Sequence, residues 1–368
     1  MAPRLPLLGI LSAGLAARVL AGVQVNPSKG CSDGRLQHRG RDLVRHVVEV
    51  ADFEHVSRVF FVQAPAQRAN GTKKMTPAPL LLSFHGQTGG AKDFAQSHHF
   101  GRLGRPHGLV SVFPQGMDDA RGPDDQGTGW NVGSGGAAGN ATCIPQGVGE
   151  ERGCYRSCRK LGRCGRCNWS TCYNDVLFVK TILAQVTKDF CVDMNRIYLH
   201  GESNGGMMVT HLVREMPETF AGVSPWFGSP MLGFLMGSEF QLLRHQADVA
   251  KIALLTLHAR ADVTIPPSGG VSEDGWIFES ESSVRGVWAA IHGCKLEHVP
   301  LPTKWDGGPL DFRCYEHSAC SSGRRVVGCQ YAGTHGDWPT GRAGDEIMLW
   351  FLLQFSRGQP AMNEQLVV

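Results

Sequence analysis

Ser203 stands in Gly201-Glu202-Ser203-Asn204-Gly205, between the run Arg196-Ile197-Tyr198-Leu199-His200 and Gly206-Met207-Met208-Val209. A serine framed by glycines at this spacing, with a strand before it and a helix after, reads as a nucleophile elbow. The turn is so sharp that the serine takes a strained backbone and only small neighbours fit. Its hydroxyl is then offered at the end of a sheet strand. A plain strand-to-helix turn is the alternative.

A serine hydroxyl is a weak nucleophile at neutral pH, so the elbow needs a histidine to take its proton and an acid to orient that histidine. In α/β-hydrolases the three follow the order Ser, Asp or Glu, His, each on a loop after a strand. Asp262, in Ala259-Arg260-Ala261-Asp262-Val263-Thr264-Ile265-Pro266, lies just past an apolar run at 252–258. It could instead cap a turn; Asp248 and Asp274 are weaker candidates on either side. His335, in Gly333-Thr334-His335-Gly336-Asp337-Trp338-Pro339, follows a strand pattern and precedes a helical one. His292, His298 and His317 are also downstream of Asp262 but lack that setting.

The oxyanion formed by attack on a carbonyl requires two preorganised donors. The sequence points to the backbone N–H of Asn204, at the start of a helix, and that of Gln87 in His85-Gly86-Gln87-Thr88-Gly89-Gly90. Trp130 and Trp338 are candidates for an aromatic wall beside the site, with His85 as a further substrate-side residue. Either tryptophan could equally belong to the core.

These residues need a sheet to hold them. Residues 43–50 and 58–63 are rich in β-branched and aromatic types, which predicts two antiparallel strands. Short apolar runs at 80–84, 109–113, 197–200, 221–226 and 252–258 predict buried parallel strands, whose carboxyl ends are where sites gather. Helical periodicity appears at 175–190, 282–292 and 345–355, and a further strand at 325–331. Alternating strand and helix predict one doubly wound, mostly parallel α/β sheet in a single domain from residue 23 onward. Residues 133–172, rich in Gly, Cys and Arg and without strand or helix period, form an expected loop insertion over the active edge.

The first 22 residues, with Arg4, an apolar stretch and small residues at Ala21-Gly22, predict a secretory signal peptide. Twelve cysteines, an even number, agree with export and disulfide formation. Sequons at Asn70, Asn140 and Asn168 fit glycosylation. Cys164-x-x-Cys167 could be read as zinc ligands in a cytosolic protein, but disulfides are the better account here. No segment is apolar for long enough to span a bilayer. A net charge of +3 gives no basis for nucleic-acid binding. The arginines and Lys160 between Arg152 and Arg166 make a solvated basic surface, or else an attraction for an acidic glycan or a substrate carboxylate.

Several stretches together resemble the polyhydroxybutyrate depolymerase and feruloyl esterase-like family of secreted esterases. They are His85-Gly86 with Phe94, Val112-Phe113-Pro114-Gln115-Gly116, Gly129-Trp130-Asn131, Asn174-Asp175-Val176-Leu177-Phe178-Val179, the Ser203 elbow with its preceding strand, and His335-Gly336-Asp337-Trp338-Pro339. The resemblance runs over 43–355 and implies an α/β-hydrolase fold, a Ser203-Asp262-His335 triad and ester hydrolysis without metal or cofactor. Thr340 stands where the family often has Gly, and an insertion as cysteine-dense as 143–172 is unusual for it. Other readings are a serine peptidase of the same fold, and an inactive hydrolase-fold module that binds glycans. A peptidase of this kind would be expected to carry a gating domain ahead of the hydrolase segment.

Overall fold

The structure is a computed structural model that describes residues 24–32, 42–65, 75–119, 127–133, 142–144, 155–164, 167, 170–232, 245–306, 308, 310–339, 341–357 and 359. The expected signal peptide, Asn70, Asn140, Asn168, Cys154 and Thr340 lie outside them.

Ten strands form the central sheet: β1 Val44–Ala51, β2 His55–Gln63, β3 Ala78–Phe84, β4 Val110–Pro114, β5 Val192–Glu202, β6 Gly222–Trp226, β7 Ala253–Ala259, β8 His298–Leu301, β9 Arg313–His317 and β10 Val326–Tyr331. Their spatial order is β1-β2-β4-β3-β5-β6-β7-β10-β9-β8. The six strands from β4 to β10 in that order are parallel, and antiparallel strands close both edges. This is the expected α/β-hydrolase architecture.

The buried strands are apolar on both faces because helices cover both. Alternation along β3 sends Leu80, Leu82 and Phe84 into one core and Leu81 into the other. The first core is completed by α2 Asp175–Asp189, α3 Asn204–Glu215 and α4 Glu281–Ile291. The second is completed by α1 Ala91–Ser97 and α5 Arg342–Leu352. The predicted strands and the three predicted helices recur with small boundary shifts. Helix α1 and strands β8 and β9 are additional to those the sequence predicts. Strand β8 is almost wholly exposed and carries Pro300, so it has no apolar alternation to read.

The insertion departs from the expected loop. Thr142–Cys143 pairs with Trp276–Phe278, and Arg156–Lys160 forms a short helix. Cys143–Cys167 and Cys158–Cys172 cross-link it, and Cys164 is also disulfide-bonded. Elsewhere Cys31–Cys191, Cys294–Cys320 and Cys314–Cys329 tie the segment before β1 to β5, and the edge strands to their neighbours. These bridges fit an extracellular protein. No helix among the described residues is long and apolar enough to cross a membrane.

Candidate active site

β5 runs through the middle of the sheet and stops at Glu202; Ser203 follows at φ 54°, ψ −120°, and α3 starts at once. That conformation costs a non-glycine residue energy and survives only because the surroundings over-determine it. Ser203 N–H donates to the Trp226 carbonyl at 3.0 Å, and its own carbonyl accepts the N–H of Met207 at 3.1 Å. The flanking glycines are there for space. A Cβ on Gly201 would sit 2.2 Å from the Gly205 carbonyl oxygen, and one on Gly205 would sit 2.2 Å from that of Phe84. The helix is thus pressed against β3 and β5 at van der Waals contact, as an elbow requires.

Asp262 lies on the loop after β7 and His335 on the loop between β10 and α5. Ala261 N–H donates to the Gly333 carbonyl at 2.9 Å, which brings the two loops together. Ser203 Oγ–H reaches His335 Nε2 at 2.9 Å, and His335 Nδ1–H donates to Asp262 Oδ2 at 2.7 Å. The other carboxylate oxygen accepts the N–H groups of Thr264 at 3.0 Å and Ile265 at 2.8 Å. His258 Nε2, which donates to the Ile265 carbonyl at 2.7 Å, lies 3.5 Å from Asp262 Oδ2. Burial alone would raise the Asp262 carboxyl; the nearby His258 and then the hydrogen bond from His335 outweigh it and hold the group well below the usual carboxylate range. The arrangement can move a proton from hydroxyl to imidazole while a fixed negative charge waits behind the ring. Asp248, bonded to Lys251 and Arg357, and His292 and His317, bonded to Ser322 and the Lys295 carbonyl, are engaged elsewhere.

The His85–Gly90 loop faces Ser203. A Cβ placed on Gly86 would lie 3.4 Å from Ser203 Cβ and 3.6 Å from the edge of the Trp338 indole, so Gly86 and Trp338 flank the serine. Trp338 is 38% exposed, and its Nε1–H donates to the His335 carbonyl at 2.7 Å. Phe227 stands edge-on to the His335 ring, at 5.3 Å between centroids. The Asn204 amide opens α3 and has no preceding turn to accept its N–H, while the Gln87 amide begins the turn next to Gly86.

Two expectations are corrected. Trp130, 1% exposed, is not a wall of the site: its Nε1–H donates to the His85 carbonyl and its backbone N–H to Asn204 Oδ1, both at 2.8 Å. It clamps the His85 loop to the first turn of α3. His85, also 1% exposed, cannot meet a substrate either. Burial pushes its imidazole down to about 4, so it is neutral, donating from Nδ1 to the Gly86 carbonyl at 2.7 Å and accepting the Gly116 N–H on Nε2 at 3.0 Å. Both residues position the loop.

Several contributors have no role that the sequence alone assigns. Gln115 Oε1 accepts the Ala91 N–H at 2.8 Å and closes the far end of the same loop. Tyr155, from the insertion, accepts a hydrogen bond from Gln87 Nε2 at 2.8 Å. Asp175 links Arg58 at 2.6 Å to the Asn131 N–H at 2.6 Å, which locks the Gly129-Trp130-Asn131 stretch onto α2. A second polar group lies on the α1/α5 face of β5: His200 and Glu202 from the strand, His98 after α1 and Asp345 from α5. Burial, then the Asp345 charge, push the Glu202 carboxyl well above its ordinary value, and burial does the opposite to His200.

No family model matches the chain. Feruloyl esterase B of Piromyces equi is 24% identical over 76% of this chain and 42% of its own length. A probable acetylxylan esterase A of Aspergillus flavus is 22% identical over 57% of this chain and 55% of its own. The chain therefore spans about half the length of the curated relatives it matches. Among solved structures, an acetyl xylan esterase from Aspergillus awamori superposes with a TM-score of 0.48 at 13% identity, over 83% of this chain and 98% of that one.

Proposed function

We propose that this chain is an exported serine esterase that cleaves carboxylic esters attached to polysaccharide, through an acyl-enzyme on Ser203. The observation that carries the reading is the continuous contact from Ser203 Oγ to His335 to Asp262, at 2.9 and 2.7 Å, at the end of a strained elbow. His335 Nε2 takes the hydroxyl proton as Ser203 attacks the ester carbonyl, and Asp262 keeps the proton on Nδ1 and stabilises the imidazolium. The amides of Asn204 and Gln87 receive the oxyanion, helped by the α3 dipole. The imidazolium then protonates the departing alcohol. Water, deprotonated by the same ring, releases the acid.

The substrate class rests on the relatives, whose names place feruloyl and acetylxylan esters among what such proteins act on. A partly exposed Trp338 beside the serine suits a flat acyl group or a sugar face. A panel of methyl ferulate, acetylated xylan, a short-chain aryl ester, polyhydroxybutyrate film and a peptide anilide tests the reading. Turnover is expected on the first three, with Ser203→Ala lowering kcat by about 10⁴ to 10⁶-fold in a folded protein. Turnover confined to the polyester would move the substrate class to polyhydroxyalkanoates, and turnover confined to the anilide would make the chain a peptidase. An unchanged rate in Ser203→Ala would remove the assignment altogether.

A further inference from the structure

Along β5 the side chains alternate, so His200 and Glu202 fall on the face shared with Tyr198, toward α1 and α5. There they meet His98 and Asp345, and none of the four is more than 5% exposed. The tautomers follow from the partners. His200 Nδ1 faces the Ser224 carbonyl at 3.1 Å, and a carbonyl only accepts, so the proton is on Nδ1 and the lone pair on Nε2. His98 Nδ1 donates to Asp345 Oδ1 at 2.7 Å, while Asp345 Oδ2 accepts the His99 N–H at 2.6 Å, so the other ring nitrogen, Nε2, is turned toward Glu202.

The atoms on the other side are unpaired among the described residues. Among the described residues, His98 Nε2, His200 Nε2 and both oxygens of Glu202 have no hydrogen-bond partner. One such atom from each of the three residues lies within 4.8 Å of the other two. His98 Nε2 and Glu202 Oε1 are 3.6 Å apart, too far for a hydrogen bond. It is close to the edge of about 3.3 Å between ligands held by bonds of about 2.0–2.1 Å to a four-coordinate zinc. Acceptors buried together without donors are costly, and a single proton can bridge only two of them. We propose that His98 Nε2, His200 Nε2 and a Glu202 carboxylate oxygen bind one zinc-like divalent cation as a structural site behind the elbow.

Charge and donor type agree. Two carboxylates, Glu202 and Asp345, with two neutral imidazoles are balanced by a charge of +2. Imidazole ligands favour zinc and its transition-metal neighbours over calcium or magnesium. The outer hydrogen bonds, His98 to Asp345 and His200 to a backbone carbonyl, are those that orient histidine ligands and raise their basicity. Because the group is closed to solvent, the ion enters during folding. It takes no part in the ester chemistry; it joins the end of β5, the loop after α1 and, through Asp345, the helix that follows the His335 loop.

The test uses the full chain, purified without a metal-affinity column or chelator. Elemental analysis is expected to find about one equivalent of a transition-metal cation, and partial unfolding with dipicolinate should lower Tm by about 5 °C or more until Zn²⁺ is returned. Co²⁺ in its place should give visible absorption bands. His98→Gln and His200→Gln are each expected to cut cation content at least tenfold. Cation-free wild-type protein whose Tm ignores added Zn²⁺ overturns the proposal, as does a folded His200→Gln variant that keeps its full equivalent. So does an infrared band of a protonated carboxyl that vanishes in Glu202→Gln. If the glutamine variants fail to fold, wild-type cation content and its chelator response decide.

Discussion

Ser203 sits between two histidine–carboxylate groups, one facing outward through His335 and the other facing inward through Glu202. On the outward side Asp262 has both oxygens filled, by His335, Thr264 and Ile265 with His258 near, and the histidine it orients points at a hydroxyl. On the inward side both oxygens of Glu202 and two imidazole nitrogens lack hydrogen-bond partners among the described residues. The same residue types therefore do different work according to who supplies the donors. Where the protein supplies them, a carboxylate stays ionised and can direct proton transfer. Where it does not, the group calls for a cation, and its value is in holding strands and helices together.

The sharpest way to break this contrast is Asp262→Asn. It is expected to lower kcat by about 10⁴-fold, since the ring would lose the partner that fixes its tautomer, while Tm and cation content stay near wild type. A loss of cation instead would merge the two groups into one. Gly205→Ala tests the seam between them: a Cβ 2.2 Å from the Phe84 carbonyl forces α3 off the sheet, and a loss of about 3 kcal/mol in denaturant unfolding is expected. Full stability in that variant would show that the elbow has slack.

The imidazoles give a pH test. His85 and His292 are pushed down to about 4 and His211 to about 3, each chiefly by burial. Their unfolded values lie near 6.5, so the unfolded chain binds more protons below that pH and stability must fall with acidification. The contribution is whole above about pH 6.5 and fades as pH drops toward 4, by roughly 3 kcal/mol for His85 alone. A Tm flat from pH 7 to 4.5 would contradict the buried, neutral assignment. The smallest effect is expected from Tyr155→Phe. Removing the acceptor of Gln87 Nε2 should cost about 1 kcal/mol, read as roughly fivefold in kcat/KM with Tm unmoved, because the insertion then no longer steadies the oxyanion loop.

How far the sequence carried these readings depended on whether the determinants were local. The elbow announces itself because Gly201, Ser203 and Gly205 answer one local demand for space. Asp262 and His335 follow from strand ends in a fixed order, and the central strands from their apolar runs. The inward group was invisible, since His98, His200, Glu202 and Asp345 come from two strand positions, a loop and a helix with no shared spacing. Trp130 and His85 were misplaced for a related reason. Their loops look exposed in sequence, and only the packing of α3 against the His85 loop buries them. Tyr155 carries no local sign that it will reach Gln87.

The Cys31–Cys191 bridge has a consequence for how the chain is made. Six cysteines, from Cys143 to Cys172, emerge from the ribosome before Cys31 can meet its partner. Cys143–Cys167 and Cys158–Cys172 are moreover interleaved along the chain. Oxidation in order of synthesis would join the wrong thiols, so the native set must be reached by exchange through mixed disulfides. Production of active protein should therefore be limited by a disulfide isomerase rather than by oxidising power alone.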